Sequence, residues 1–248
     1  MESQTRGRLR VGKSKFYNGR VNIPKYDEFT NIIVLTEKSS PEYASLGPYN
    51  LKNEQGQIIE CIWQFSKCYK NVPQVKVPIS SGDSTLAWEW PAETHIDSDG
   101  NFTQEFWRWR MTGKNHNQPV RCPVGWKHLS SCLFSLEKDE PISESNPKLD
   151  YIESRKKIYV SIYMAAVIKE PKFFELRDRL LKGENLMIIE VDGPHQESLN
   201  YYKEKYNVSD NFIENDSVEA TAENLAILLN DSKHPFGHGY CLAWALSF

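Results

Sequence analysis

The chain has 248 residues, long enough for one large domain or two small ones with a real core. Its 40% hydrophobic and 25% charged residues are ordinary for a globular protein, and a net charge of −3 excludes a global pull toward nucleic acid or acidic membranes. Five cysteines with no CxxC pair argue against a disulfide framework or zinc ribbon; with no apolar leader and no run near ~18 apolar residues, they predict a soluble intracellular protein in a reducing compartment.

The first twenty residues carry six Lys/Arg against one Glu and little apolar periodicity, which predicts a flexible basic arm over residues 1–25, either a solvated tail or an arm that reaches phosphates. NIIVLTE (31–37) reads as a first strand, and SSPEYASLGPYNL after it has turn chemistry from Pro41, Gly47 and Pro48. NEQGQIIE is a tight turn feeding a helix through ECIWQFSK (60–67). At ~100° per residue, that helix sets Glu60, Gln64 and Lys67 within ~60° of one another, with Asn71 continuing the row. Cys61, Ile62, Trp63, Phe65, Cys68 and Tyr69 cover most of the rest. The row is either the solvent face of an amphipathic helix or the polar lining of a cavity. In the second case a general acid/base and a cation meet one ligand.

Residues 73–81 are extended, with prolines and valines among polar residues. STLAWEWP and FTQEFWRWRM both read as strands, each with two tryptophans on one face (Trp88 and Trp90; Trp107 and Trp109) and, in the second, Arg108 and Arg110 on the other. Such strands are either half core and half solvated, or a surface that stacks bases and holds phosphates. PVRCPVGW (119–126) is an extended or turn segment. HIDSDGN is a turn, since the later ligand positions of a calcium loop do not follow. EKDEPISESNPKLD (137–150) is an acidic surface loop or junction.

The helical part comes next. YIESRKKIYVSIYMAAVIKEP stops at Pro171, and PKFFELRDRLLKGEN has Pro171 near its start and Gly183 as its cap. LMIIEVD is a short buried strand; EATAENLAILLNDS is a helix N-capped by Asp216 or Ser217. HPFGHGYCLAWALSF is a turn entering an apolar segment. His234 and His238 are four apart, but Pro235 and Gly237 argue against a helical metal pair. Gly237 and Gly239 let backbone approach a ligand closely, and Asp192 with Gly193 forms a turn after a buried strand. No serine has a GxSxG context and no cysteine an evident histidine partner. Strands first and helices later predict α+β, with the acidic loop at 137–149 as an insertion loop in one domain rather than a domain boundary.

The order of these pieces resembles the NADAR (YbiA-like) superfamily of N-glycosidases. Glu60, Gln64 and Lys67 match the spacing of that family's Glu-His-Tyr/Phe-x-Gln-x-x-Lys helix, and Tyr49 in SSPEYASLGPY stands at the aromatic position of its Ser-Asn-Phe loop. ELRDRLLKGENLMIIEVD is similar to the family segment ending in Glu, and Gly237 and Gly239 stand near its terminal glycine motif. The match covers roughly residues 31–72 and 150–248, which implies a single domain over 26–248 with a β-rich insertion at 73–149; Cys61 replaces the family's His, and Gly47 and Pro48 its Ser-Asn pair. The resemblance implies a mainly helical core with a small β-sheet, no metal or cofactor, and cleavage of an N-glycosidic bond in an ADP-ribosyl or nucleotide-like substrate, including ADP-ribose on a nucleobase. It implies Glu60 as general acid/base, Lys67 as charge stabiliser or as amine attacking ring-opened ribose, and Gln64 orienting ribose hydroxyls. Tyr49, Trp63, Arg108, Arg110, Asp192, Gly237 and Gly239 are the further candidate substrate contacts. The alternatives are a non-catalytic nucleotide or nucleic-acid binding module using the basic arm and the Trp/Arg strands, and an interaction protein whose polar row only faces solvent.

Overall fold

The computed structural model describes residues 5–17, 20–34, 41–73, 88 and 90–247. In chain order they form β1 (Leu9–Lys13), β2 (Lys15–Tyr17), β3 (Arg20–Asn22), β4 (Thr30–Ile33), α1 (Ile59–Phe65), β5 (Lys67–Tyr69), β6 (Asn71–Val72), β7 (Glu93–Thr94), α2 (Gln104–Lys114) and β8 (Cys132–Ser135). Then follow α3 (Tyr151–Ser154), a π-helical turn (Arg155–Val160), α4 (Ser161–Val167), α5 (Pro171–Leu181), β9 (Leu186–Glu190), α6 (Leu199–Tyr206), β10 (Ser217–Glu219), α7 (Ala222–Asn230) and α8 (His238–Ser247). The fold is α+β and divides into two compact units, residues 1–47 with 163–248 and residues 48–162. No helix among the described residues is long and apolar enough to cross a membrane.

The first unit is built on a four-stranded sheet ordered β10-β1-β9-β4. β1 runs antiparallel to β10 and parallel to β9, pairing Val11 with both Val218 and Ile188, while β4 runs parallel to β9 and pairs Ile32 with Ile188. β9 is buried along its whole length, as expected of a central strand covered on both faces. Met187 and Ile189 pack with Phe29 on one face; α8, apolar around its circumference, closes on the other, with Gly239 against Ile188.

Over its described residues the basic N-terminus is therefore not a flexible arm. Residues 9–13 are an interior strand, whose period-two pairing of Leu9 with Val11 was hidden by the density of charge around it. Its cations meet the unit's own groups: Arg8 pairs with Glu219 at 3.0 Å, Arg10 donates to Ser217 Oγ at 2.8 Å, Lys13 to the Gly193 carbonyl at 2.8 Å, and Lys15 pairs with Asp216 at 2.8 Å. β4 confirms the start of the expected first strand, and residues 35–37 lie outside the described residues. α5 begins on Pro171 and exits through Gly183 at φ +87°. α7 is capped by Thr221, which accepts from Asn224 N–H at 3.1 Å; the expected caps lie elsewhere, Asp216 in a turn at φ +55° and Ser217 in β10.

The second unit carries an aromatic core of Phe65, Tyr69, Trp88 and Trp109 with Cys61, Val120 and Val124. FTQEFWRWRM is not a strand. Thr103 caps a helix by accepting from Phe106 N–H at 3.1 Å, and Phe106, Trp109, Arg110 and Gly113 are buried at helical spacing. A four-residue alternation of Trp and Arg mimics a strand, but the cap ahead of it and the i, i+3, i+4, i+7 burial decide for helix. Among its described residues the 73–149 segment is accordingly not β-rich; its longest described element is α2. Gly113 is where Phe65 seats, and a Cβ there would lie 2.1 Å from the ring. Most of STLAWEWP and of 73–81 lies outside the described residues, though Trp88 stacks parallel to Trp109 at 6.3 Å. In HIDSDGN, Asp97 Oδ1 accepts from the N–H groups of Asp99 (3.0 Å) and Asn101 (2.9 Å), giving the expected turn.

Candidate active site

α1 has no side-chain cap. Its first N–H groups are satisfied by the preceding loop instead, Ile59 donating to the Leu51 carbonyl and Glu60 to the Pro48 carbonyl, both at 3.0 Å. Every residue of α1 is buried, Glu60 and Gln64 included at 5% and 8% exposure, which rules out a solvent face for these two. The helix stops at Ser66, whose hydroxyl donates back to the Trp63 carbonyl at 2.8 Å, and the chain turns into β5 at Lys67.

The expected row thus holds with a change of backbone. Lys67 leaves the helix yet reaches back to donate to Gln64 Oε1 at 2.8 Å, and Gln64 Nε2 donates to Glu60 Oε1 at 2.7 Å. The amide orientation follows from its neighbours, an ammonium that only donates and a carboxylate that accepts. The result is an ammonium–amide–carboxylate relay inside the unit. Asn71, in β6, is exposed and does not extend it.

Lys67 Nζ also sits 4.6 Å from the centroid of the Trp63 ring, which in turn packs on Tyr159 at 5.1 Å. Burial pushes the lysine below its ordinary value, and the nearby Glu60 charge pulls it only partly back. More of this amine is therefore unprotonated near neutral pH than of a surface lysine. Trp63 and Lys67 open on a cavity of about 150 Å³ whose other walls include Cys132, Phe134, Leu149 and Tyr151. Burial raises the Cys132 thiol, with Lys67 opposing, so Cys132 lines the cavity as a thiol.

Those walls come from residues 129–154, carried to α1 by the pairing of β5 with β8, in which Lys67 lies opposite Ser135. No local pattern in the sequence points to them. Tyr49 lies half-buried in the loop whose carbonyls cap α1.

The arginines of α2 do not join the site. Arg108 projects outward, 62% exposed, and pairs with Glu93 at 2.5 Å. Arg110 is fully buried as an internal strut, donating to Asp139 (2.6 Å) and to the carbonyls of Phe65 (2.9 Å) and Leu136 (2.9 Å). Lys114 adds a second cation on Asp139 at 2.6 Å; burial raises that carboxyl, but Arg110 and Lys114 outweigh it and hold it below its ordinary value. The acidic loop is thus pinned at Asp139.

Asp192, Gly237 and Gly239 belong to the first unit. The two glycines there face a protein carboxylate: Gly239 N–H donates to the buried Glu190 Oε2 at 2.6 Å, and a Cβ on Gly237 would lie 2.5 Å from the same oxygen. Glu190 Oε1 accepts from the N–H groups of Val191 (2.7 Å) and Asp192 (3.2 Å), so the turn after β9 and the start of α8 share one acid. His238 Nε2 bonds the Val34 carbonyl and His234 Nδ1 lies 2.8 Å from Asp231, so the two histidines have different partners. Among the described residues no group of three or more His, Cys, Asp or Glu is placed to hold a metal ion.

Compared with known proteins, the chain matches no family model, no curated protein and no solved structure.

Proposed function

We propose that the chain is an N-glycosidase acting on a ribosyl, nucleotide-type substrate, with Glu60 and Lys67 as its reacting groups. The observation that carries this reading is the buried relay: a carboxylate and a lysine of lowered basicity, joined through Gln64, with the amine opening on a cavity. The motif spacing shared with NADAR N-glycosidases supports the same assignment, and under it this unit carries the family's catalytic helix.

The cavity, about 150 Å³, is well below the ~300–1,000 Å³ of pockets that enclose drug-sized ligands. It accepts a single sugar ring, leaving base and phosphates outside. Glu60 gives its proton to the departing base or takes one from water. Lys67 adds through its free amine to C1 of the ribose as the C1–N bond to the base breaks, the proton it sheds returning to Glu60; the sugar ring then opens to an imine that water hydrolyses, freeing the amine. Gln64 positions both partners from behind the cavity wall, where Lys67 is the member of the relay that lines the cavity. The binding-module alternative has weaker support, because Arg10, Lys13 and Arg110 are engaged within the protein, although Arg108 stays exposed beside Glu93.

The test uses DNA bearing ADP-ribosylated guanine and, separately, free ADP-ribose, with borohydride added in parallel and products read by mass spectrometry. Release of base or ADP-ribose, a reduced adduct on Lys67, and loss of release in Glu60→Gln are the expected results. Folded Glu60→Gln and Lys67→Ala variants that match the parent on the DNA substrate would overturn the assignment.

A further inference from the structure

A second constellation lies in the first unit, around the carboxylate of Asp231. Asp231 follows α7 and its side chain is fully buried. Its Oδ1 accepts from the hydroxyls of Tyr201 (2.5 Å) and Tyr206 (3.1 Å), and its Oδ2 from Tyr202 (2.8 Å) and from His234 N–H (3.1 Å). So many donors hold the acid ionised, well below the ordinary carboxylate range despite its burial. His234 Nδ1 lies 2.8 Å from Oδ2, and its Nε2 lies 3.2 Å from Ser198 Oγ, on the residue immediately before α6.

Both distances fall within the ~2.6–3.2 Å reach that defines a nucleophile, its base and the acid that orients the base. The roles also agree. A buried carboxylate beside Nδ1 fixes the tautomer with the proton on Nδ1, which leaves the Nε2 lone pair for the serine hydroxyl. This set is not legible in the sequence because Ser198 lies outside any GxSxG turn and its partners follow more than thirty residues later.

We propose that Ser198, His234 and Asp231 form a second reactive site, separate from the Lys67 cavity, in which Ser198 is a nucleophile toward carboxylic esters with small acyl groups. Ser198 Oγ bonds to the carbonyl carbon as its proton passes to His234 Nε2, and the alcohol then leaves with that proton. Water repeats the sequence, giving its proton to His234, and releases the acid while Ser198 recovers its hydrogen. Asp231 is the positioning residue. Ser198 is only 8% exposed and the His234 side chain 13%, so the approach is narrow, which is why the acyl group must be small.

The test is labelling of the full chain with a small alkyl fluorophosphonate, in which the Oγ–P bond forms and fluoride leaves, alongside hydrolysis of p-nitrophenyl acetate. One adduct per chain is expected, mapped to Ser198 and absent in Ser198→Ala. In His234→Ala the maximal labelling rate should fall at least ~100-fold with little change in the half-saturating probe concentration, and added imidazole should restore part of it. Asp231→Asn should show the same loss of maximal rate at unchanged half-saturation, a split that a purely structural acid would not give. His234→Gln serves if His234→Ala does not fold. No adduct on Ser198 in the parent, or an equal labelling rate in a folded His234 variant, would overturn the proposal. Ser198→Ala should leave any Lys67-dependent base release intact, so the two sites fail separately.

Discussion

His95 sits fully buried between the rings of Trp109 (4.5 Å) and Phe106 (5.0 Å), and its Nδ1 accepts the Tyr69 N–H at 3.1 Å. That acceptor role requires an unprotonated Nδ1, and burial lowers the imidazole from its ordinary 6.5 to about 3. Holding the ring neutral over that interval corresponds to on the order of 5 kcal/mol. The sign follows from proton binding: the unfolded chain takes up a proton near pH ~6.5 that the folded chain refuses until about 3. The contribution is complete above ~6.5 and is lost as pH falls, at up to ~1.4 kcal/mol per pH unit. His95→Asn tests this, since an Asn Oδ1 can stand where Nδ1 stands and keep the Tyr69 bond without titrating. Losing most of the ring should cost about 2 kcal/mol at pH 7.5. Urea unfolding followed by tryptophan fluorescence from pH 7.5 to 4 should then show the parent's advantage shrinking below pH ~6.5 and vanishing near ~5. Titrating carboxylates act on both proteins and cancel in the difference. A parent-minus-variant difference constant across this range would refute the reasoning.

Gly113→Ala, ordinarily favourable in a helix by ~1 kcal/mol, should instead destabilise by ~1–3 kcal/mol, because the new methyl meets the Phe65 ring at 2.1 Å; chemical denaturation measures it, and Gly113→Ala with Phe65→Leu should recover part of the loss. Asp139→Ala leaves the buried Arg110 without its carboxylate and should cost about 2 kcal/mol, less than the ~3–5 for a fully buried pair because Asp139 is 35% exposed. For Lys67, folding lowers the pKa, so the folded chain binds fewer protons than the unfolded one between the two values and stability gains as pH rises through that window. Parent stability relative to Lys67→Met should therefore improve from pH 7.5 to 10, read by thermal unfolding at low salt.

The relay shows how far spacing goes. Glu60, Gln64 and Lys67 were brought together by helical period alone, although Lys67 reaches the others from a strand, because a side chain that long tolerates the change of backbone. The Trp/Arg segment shows the limit: four alternating residues fit both periods, and only the Thr103 cap and the burial of Arg110 under loop carbonyls separate them. Charge counting misled at the N-terminus, since the bases read as a flexible arm, whereas Arg8, Arg10, Lys13 and Lys15 meet side chains and carbonyls of distant segments.

The features legible from the residues alone are therefore local: the α+β mixture, Pro171 and Gly183 bounding a helix, the buried run of β9, the Asp97 turn and the Glu60–Gln64–Lys67 row. These depend on neighbours within a turn or two, where backbone geometry dictates who meets whom. The cavity walls, the strut at Arg110, the neutral His95 and the Ser198–His234–Asp231 set emerge only with packing. Each joins residues far apart in the chain, and burial and hydrogen bonding, which set their chemistry, exist only once those segments have packed.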